Sequence, residues 1–163
     1  MTTDADRAKA RGRAFVVVQG LLFLAVAVLA LLPGPTLFTS LYLGLALVVL
    51  GGAGVIWSGR DLGRALTPNP VPNGEGLVAR GLYRVARHPM YSCLVLICLG
   101  VAVGSGALWC YVAVVALAVF FGVKARFEER YLLGAYPGYA AYAAATGRFV
   151  PVVGRLRRGL STG

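Results

Sequence analysis

Charge is what this sequence has least of. Only 13% of its 163 residues are Asp, Glu, Lys or Arg, where a soluble domain carries roughly a quarter. Hydrophobic residues make up 58%. That balance excludes an ordinary soluble domain and points to an integral membrane protein of one domain, residues 1–163. Acids are scarcer still, six against sixteen Lys and Arg, for a formal net charge of +10. Beside hydrocarbon, such an excess reads as a basic face lying on anionic lipid headgroups, with no nucleic acid partner. The three cysteines, Cys93, Cys98 and Cys110, sit in apolar runs without CxxC or Cys/His ligand spacing. A disulfide redox enzyme and a metal site both drop out. No acid lies inside any apolar run, which argues against an ion-coupled transporter. The first apolar run lacks a small-residue cleavage site and reads as a retained anchor.

What is present is long apolar runs. They predict four spans, at about 14–32, 36–57, 90–103 and 107–123, the third short for a full crossing. Pro33-Gly34-Pro35 and Gly104-Ser105-Gly106 punctuate the two hairpins. Gly44, Gly51, Gly52 and Gly54 give the second run a surface for close helix approach, and Trp57 falls where an interfacial aromatic belongs. Residues 1–13 read as a polar tail or short surface helix. The proline-rich stretch 67–76 reads as an extended loop. From Lys124 the chain reads as an amphipathic helix to about Tyr136, broken by Pro137-Gly138 and followed by a second short helix. The expected fold class is all-α, an integral membrane protein of four transmembrane helices with a cytoplasmic C-terminal helical cap.

The charges fall in three blocks: four Lys and Arg in 1–13, five in 58–88 and seven in 124–163, with all six acids in the same segments. With four crossings these blocks share one side, and the positive-inside rule makes it cytoplasmic, with both termini there and a bacterial-type inner membrane expected. Two polar clusters then flank the second hairpin. One is Tyr83, Arg84, Arg87, His88 and Tyr91. The other is Arg126, Glu128, Glu129, Arg130, Tyr136, Tyr139, Tyr142 and Arg148. A hairpin brings its ends together, so the clusters should meet in a mixed-charge, tyrosine-rich pocket for a ligand with ammonium, carboxylate and aromatic groups. The blander alternatives stay open. Arg84 and Arg87 could bind headgroups, and His88 could cap a helix. Glu128 and Glu129 could pair with Lys124, Arg126 and Arg130, and Tyr139 and Tyr142 could be an aromatic belt.

Gly81-Leu82-Tyr83-Arg84, Arg87-His88-Pro89-Met90-Tyr91 and Glu128-Glu129 together resemble the isoprenylcysteine carboxyl methyltransferases and the related phospholipid methyltransferases. The resemblance extends through Leu62-Gly63-Arg64, Thr67-Pro68, Tyr139, Tyr142 and Arg148-Phe149 to Pro151, over about 62–151. It implies an S-adenosylmethionine-dependent membrane methyltransferase whose cofactor site is built by 62–151. Carried over by position, Tyr83, Arg87, His88, Pro89, Tyr91, Glu128 and Glu129 would hold the cofactor. Arg87 and Arg148 would orient the substrate as catalytic residues, and Tyr139 and Tyr142 would line the substrate. Cys93 stands where the family usually has glycine, and Leu82 where it often has proline. Expected partners are membrane lipids and a lipophilic or lipidated substrate, with the oligomeric state open. Carboxyl O-methylation of an isoprenylcysteine-like compound is the leading activity. A carboxylate is already ionised near neutral pH and needs orientation, not a base. Phospholipid amine N-methylation and small-thiol S-methylation are alternatives within the class, and a non-enzymatic membrane scaffold is the alternative outside it.

Overall fold

A computed structural model describes residues 4–63, 77–151 and 153–155. The expected loop at 67–76 and the motif positions Arg64, Thr67 and Pro68 lie outside the described residues. Among those described the chain is all-helical. The helices are α1 (Asp4–Leu29), α2 (Leu41–Leu62), α3 (Pro89–Ser105), α4 (Leu108–Ala135) and α5 (Tyr139–Ala145), with a 3-10 turn at Gly81–Arg84 between α2 and α3. Three are long and apolar enough to cross a membrane: Ala10–Leu29 within α1, α2 and α4. At 17 residues α3 is shorter, about 25 Å at the helical rise.

Several boundaries differ from expectation. The polar N-terminus is not a separate tail or surface helix, because α1 starts at Asp4 and runs unbroken into the apolar run. It ends at Leu29, short of the expected 32. The second span is shifted to Leu41–Leu62, because residues 35–40 have another task. They supply hydrogen bonds at the far end of the second hairpin. Leu37 N–H donates to Gly106 O (2.7 Å) and Ser40 N–H to Val103 O (2.9 Å), while Pro35 O accepts from Leu108 N–H (2.9 Å). Thr39 Oγ1 donates to Gly104 O (3.3 Å) and Tyr111 OH to Phe38 O (2.5 Å). The open carbonyls at the end of a helix need such donors, above all where hydrocarbon offers none. Gly106, in the left-handed region (φ 71°), closes α3. Ser40 caps α2 through its side chain, and Trp57 lies inside α2, exposed at 60%, instead of at its end. The fourth span and the amphipathic stretch from Lys124 form one continuous helix. α4 is one rod of 28 residues, about 42 Å, so its last turns extend beyond a hydrocarbon core of about 30 Å.

The helices pack in the order α2, α3, α4, α1, and α1 and α2 make almost no contact. The closest pairing is α2 with α3. A Cβ on Gly44 would stand 2.7 Å from Gly100 O, one on Gly100 2.6 Å from Gly44 O, and one on Gly51 2.8 Å from Cys93 O. Only hydrogen fits at these three positions, and the backbones gain dispersion contact in return. The buried core of Val26, Cys98, Ala102, Cys110, Val114, Leu117 and Phe121 joins α1, α3 and α4.

Candidate active site

The site forms where α3 begins and α4 ends. Asp61, in the last turn of α2, sets the approach. Its Oδ2 accepts from Leu82 N–H (2.9 Å), and its carbonyl accepts from Arg80 Nε (3.0 Å). Gly81 adopts φ 54°, and a Cβ there would overlap the Asp61 carboxylate. Both facts call for glycine at 81. The 3-10 turn then delivers Ala86–His88 alongside the segment after α5. Arg87 N–H donates to Gly147 O (2.8 Å) and His88 N–H to Arg148 O (2.9 Å), a parallel bridge. Pro89 begins α3 at a position where its missing N–H costs nothing.

Arg87 is the hub. Its side chain is 1% exposed and donates four hydrogen bonds. Nε donates to Glu129 Oε1 (3.0 Å). Nη1 donates to Ala143 O (2.7 Å) and Thr146 O (2.5 Å). Nη2 donates to Gly154 O (2.9 Å) and faces Glu129 Oε1 at 2.9 Å. The fork of the guanidinium suits this divergent set. Arg148 grips the same glutamate, Nε to both carboxylate oxygens (3.0 and 3.1 Å) and Nη2 to Oε2 (2.6 Å). The hydrogen bond to Glu129 holds its guanidinium above the ordinary value against the opposing effect of burial. Glu129 therefore takes its partners from two other segments, and not from Arg126 or Arg130, which are exposed.

Glu128 differs from its neighbour. Its side chain is 24% exposed against 5% for Glu129. Tyr91 OH donates to Glu128 Oε2 (3.0 Å), and His88 Nδ1 stands 3.6 Å from the same oxygen. The His88 ring, buried, stacks on Tyr91 at 5.3 Å and 5°, and Tyr91 stacks on Phe121 at 4.6 Å and 12°. His88 Nε2 is 3.3 Å from Glu129 Oε1 without hydrogen-bond geometry. With Tyr139 OH and Ser58 Oγ it is a buried polar atom lacking a partner among the described residues.

The tyrosines close one side. Tyr142 OH donates to Tyr83 O (2.5 Å), and its ring meets that of Tyr139 edge-on at 5.8 Å. Tyr139 is 1% exposed and Tyr83 7%. Burial pushes the hydroxyls of Tyr83 and Tyr139 well above the ordinary tyrosine value and that of Tyr142 up to about 12. Tyr139 thus sits inside the protein, and Tyr142, half-buried, is turned onto Tyr83. Arg84 is exposed and outside the cluster. Cys93 faces α2, where a Cβ on Gly54 would overlap its sulfur. Its side chain is accommodated there and not in the site.

Two features escaped the sequence. Asp61 carried no motif in its own right. Lys124 stood only among the possible partners of Glu128 and Glu129, yet besides its electrostatic attraction to Glu128 it is 1% exposed, donates to Gln19 Oε1 of α1 (2.6 Å) and lies 5.3 Å from the centre of the Tyr91 ring. Its early place in the polar stretch after an apolar run was the available signal.

The family profile described as phospholipid methyltransferase matches residues 39–138. The chain belongs to the phospholipid methyltransferase family. In this family of membrane methyltransferases S-adenosylmethionine is generally the methyl donor. The matched region covers α2, the 3-10 turn, α3 and α4, and so contains Arg87, His88, Tyr91, Glu128 and Glu129. The chain is also similar to the cobalt-zinc-cadmium resistance protein CzcN of Cupriavidus metallidurans, 40% identical over 88 residues. That match takes in 53% of this chain and 40% of CzcN, so it spans less than half the length of that relative. Among the described residues no group of His, Cys, Asp and Glu is arranged to hold a metal ion.

Proposed function

We propose that the protein transfers a methyl group from S-adenosylmethionine to a lipophilic acceptor at the cytoplasmic membrane surface. In this reading α3 is the fourth crossing, completed at its far end by residues 35–40, and α5 with the following segment caps the cytoplasmic side. The chain acts as one domain whose cofactor part is about 62–151, with both termini cytoplasmic in a bacterial-type inner membrane. The observation that carries the reading is the unequal pair Glu128 and Glu129. One carboxylate is buried and clamped by two arginines, and the other is partly exposed and aimed by Tyr91 and His88.

The donor set fits a zwitterionic cofactor. Glu128, exposed enough to meet a ligand, suits its ammonium group, and the uncovered part of Arg148, 21% exposed, suits a carboxylate. The stacked rings of His88 and Tyr91 offer an aromatic surface. When bound, S-adenosylmethionine supplies the electrophilic methyl group. Arg87, committed to Glu129 and three carbonyls, holds the site together and does not touch the reactants. Glu129 orients Arg148. Tyr83, Pro89, Tyr139 and Tyr142 shape the wall and exclude water.

For the acceptor, a carboxylate of isoprenylcysteine type remains the first choice. It needs orientation by Arg148 but no base. A phospholipid amine is the second reading, favoured by the description of the matched family. An ammonium must shed a proton, and Glu128, beside His88, is placed to take it. Radiolabelled methyl transfer into a farnesylated cysteine analogue, phosphatidylethanolamine and a simple thiol separates these. Labelling of the first supports carboxyl transfer, and labelling of the second reassigns the acceptor. Folded, detergent-solubilised protein that labels none and binds no S-adenosylhomocysteine by calorimetry would refute the function.

A further inference from the structure

We infer that Lys124, held by Gln19, is a positioning residue for the Tyr91–Glu128 pair, which makes α1 a working part of the site. This inference rests on the methyltransferase reading for its functional consequence. It goes beyond that reading in bringing in a helix outside the family-matched residues 39–138.

Ionisable groups in a membrane-spanning helix are costly and rarely idle. Lysine normally lowers that cost by extending its amine to the interface. Lys124 does not, being only 1% exposed. Its Nζ instead turns inward to Gln19 Oε1 at 2.6 Å and to the Tyr91 ring at 5.3 Å. Gln19 is the single amide side chain of α1, and it lies amid Val16, Val17, Val18, Leu21 and Leu22. An amide there would be unfavourable without a partner, and Lys124 is that partner.

The geometry connects this pair to the exposed acid. Tyr91 packs flat on Phe121 at 4.6 Å, which sits three residues before Lys124 on α4. The ammonium and Phe121 together restrict how the Tyr91 ring can turn. Ring orientation decides where the hydroxyl lies, and that hydroxyl donates to Glu128 Oε2 at 3.0 Å. The same ring stacks on His88 at 5.3 Å. Gln19 therefore fixes Lys124, Lys124 fixes Tyr91, and Tyr91 fixes both the carboxylate and the imidazole that face the ligand. The packing of α1 against α4 by Phe15 on Phe127 (4.9 Å) and Phe23 on Phe121 (6.3 Å) brackets Gln19 on both sides and sets its depth.

The test uses Lys124→Met, Lys124→Arg, Gln19→Leu and the Lys124→Met/Gln19→Leu double variant of the full chain in detergent. Binding of S-adenosylhomocysteine is measured by calorimetry. His88 is the only histidine in the chain, so isotope-labelled histidine gives one ring signal that reports Tyr91 stacking without any ligand. Lys124→Met should weaken binding about tenfold and Gln19→Leu about threefold, the scale of a lost cation–π contact and a lost polar contact. The double variant should be no weaker than Lys124→Met alone, and Lys124→Arg should recover most of the affinity. The His88 signal should move in Lys124→Met and in Gln19→Leu. Folded variants with unmoved His88 signal and wild-type affinity would overturn the inference. So would Lys124→Arg behaving as Lys124→Met, which would mark a packing role alone. If the wild-type protein binds no S-adenosylhomocysteine, the methyltransferase reading fails, while the His88 signal still decides the positioning. If Lys124→Met does not fold, Gln19→Leu carries both readouts.

Discussion

Replacing Arg87 by lysine keeps the charge and removes the fork. The guanidinium serves two sides of Glu129 Oε1 and three carbonyls, those of Ala143, Thr146 and Gly154, at 2.5–3.0 Å. An ammonium has three donors on one atom. At least one of the four acceptors must therefore go unmet, and a buried acceptor left unmet costs about 1–3 kcal/mol. The attraction to Glu129 largely survives, so that deficit of about 1–3 kcal/mol falls on the segment after α5. That segment is otherwise held by the bridge at Ala86 and Gly147, the Arg148 side chain on Glu129 and the Ser92 Oγ bond to Phe149 O. Local opening should become cheaper by that amount. Amide hydrogen exchange followed by mass spectrometry reads it directly. Peptides covering 143–155, with the bonded amides of Thr146 and Arg148 as reporters, should exchange about fivefold faster or more. The α2–α3 pair should be unchanged. Wild-type exchange across 143–155 in folded Arg87→Lys protein would refute the hub assignment.

Glu128→Gln should leave stability within about 1 kcal/mol, since the amide still accepts from Tyr91. It should weaken S-adenosylhomocysteine binding about tenfold or more, as loss of a charge-assisted contact predicts. Calorimetry and a melting curve on the same sample distinguish the two. Gly54→Ala should destabilise by about 1–3 kcal/mol through overlap with Cys93, and adding Cys93→Gly should restore the wild-type midpoint in a thermal melt. On the alkaline side, burial raises Tyr142 from 10.0 to about 12, so the folded state favours the neutral hydroxyl. That contribution is complete below pH 10 and is lost as pH rises toward 12. Tyr142→Phe should flatten the fall in midpoint over that window, and an equally steep fall would contradict the assignment.

The pairing of Arg87 with Glu129 could be anticipated from the sequence, because a hairpin between Pro89 and Lys124 must bring its flanks together. What each partner does there could not. Adjacent glutamates look alike in sequence, and only the wrap of 143–154 around Arg87 separates a clamped Glu129 from an exposed Glu128. The break at Pro33-Gly34-Pro35 was legible as a stop. The delay of α2 to Leu41 was not, since it answers the unpaired carbonyls at the end of α3, 65 residues away from Thr39. Lys124 was half legible for a similar reason. Spacing on α4 offered it Glu128, whose charge does act on it, but the further partner, Gln19, lies 105 residues earlier. The departure at Cys93 was legible, but only the approach of Gly54 shows which way its side chain points.

The helix order α2, α3, α4, α1 has a consequence for how the protein is made. The chain enters the bilayer with α1 and α2 first, yet these two end up on opposite sides of the later hairpin. The first hairpin cannot close on itself. Gly44, Gly51 and Gly54 of α2 and Gln19 of α1 find their partners only on α3 and α4. The first hairpin is thus completed by the second, and the site at the base of the second hairpin exists only when that hairpin is seated.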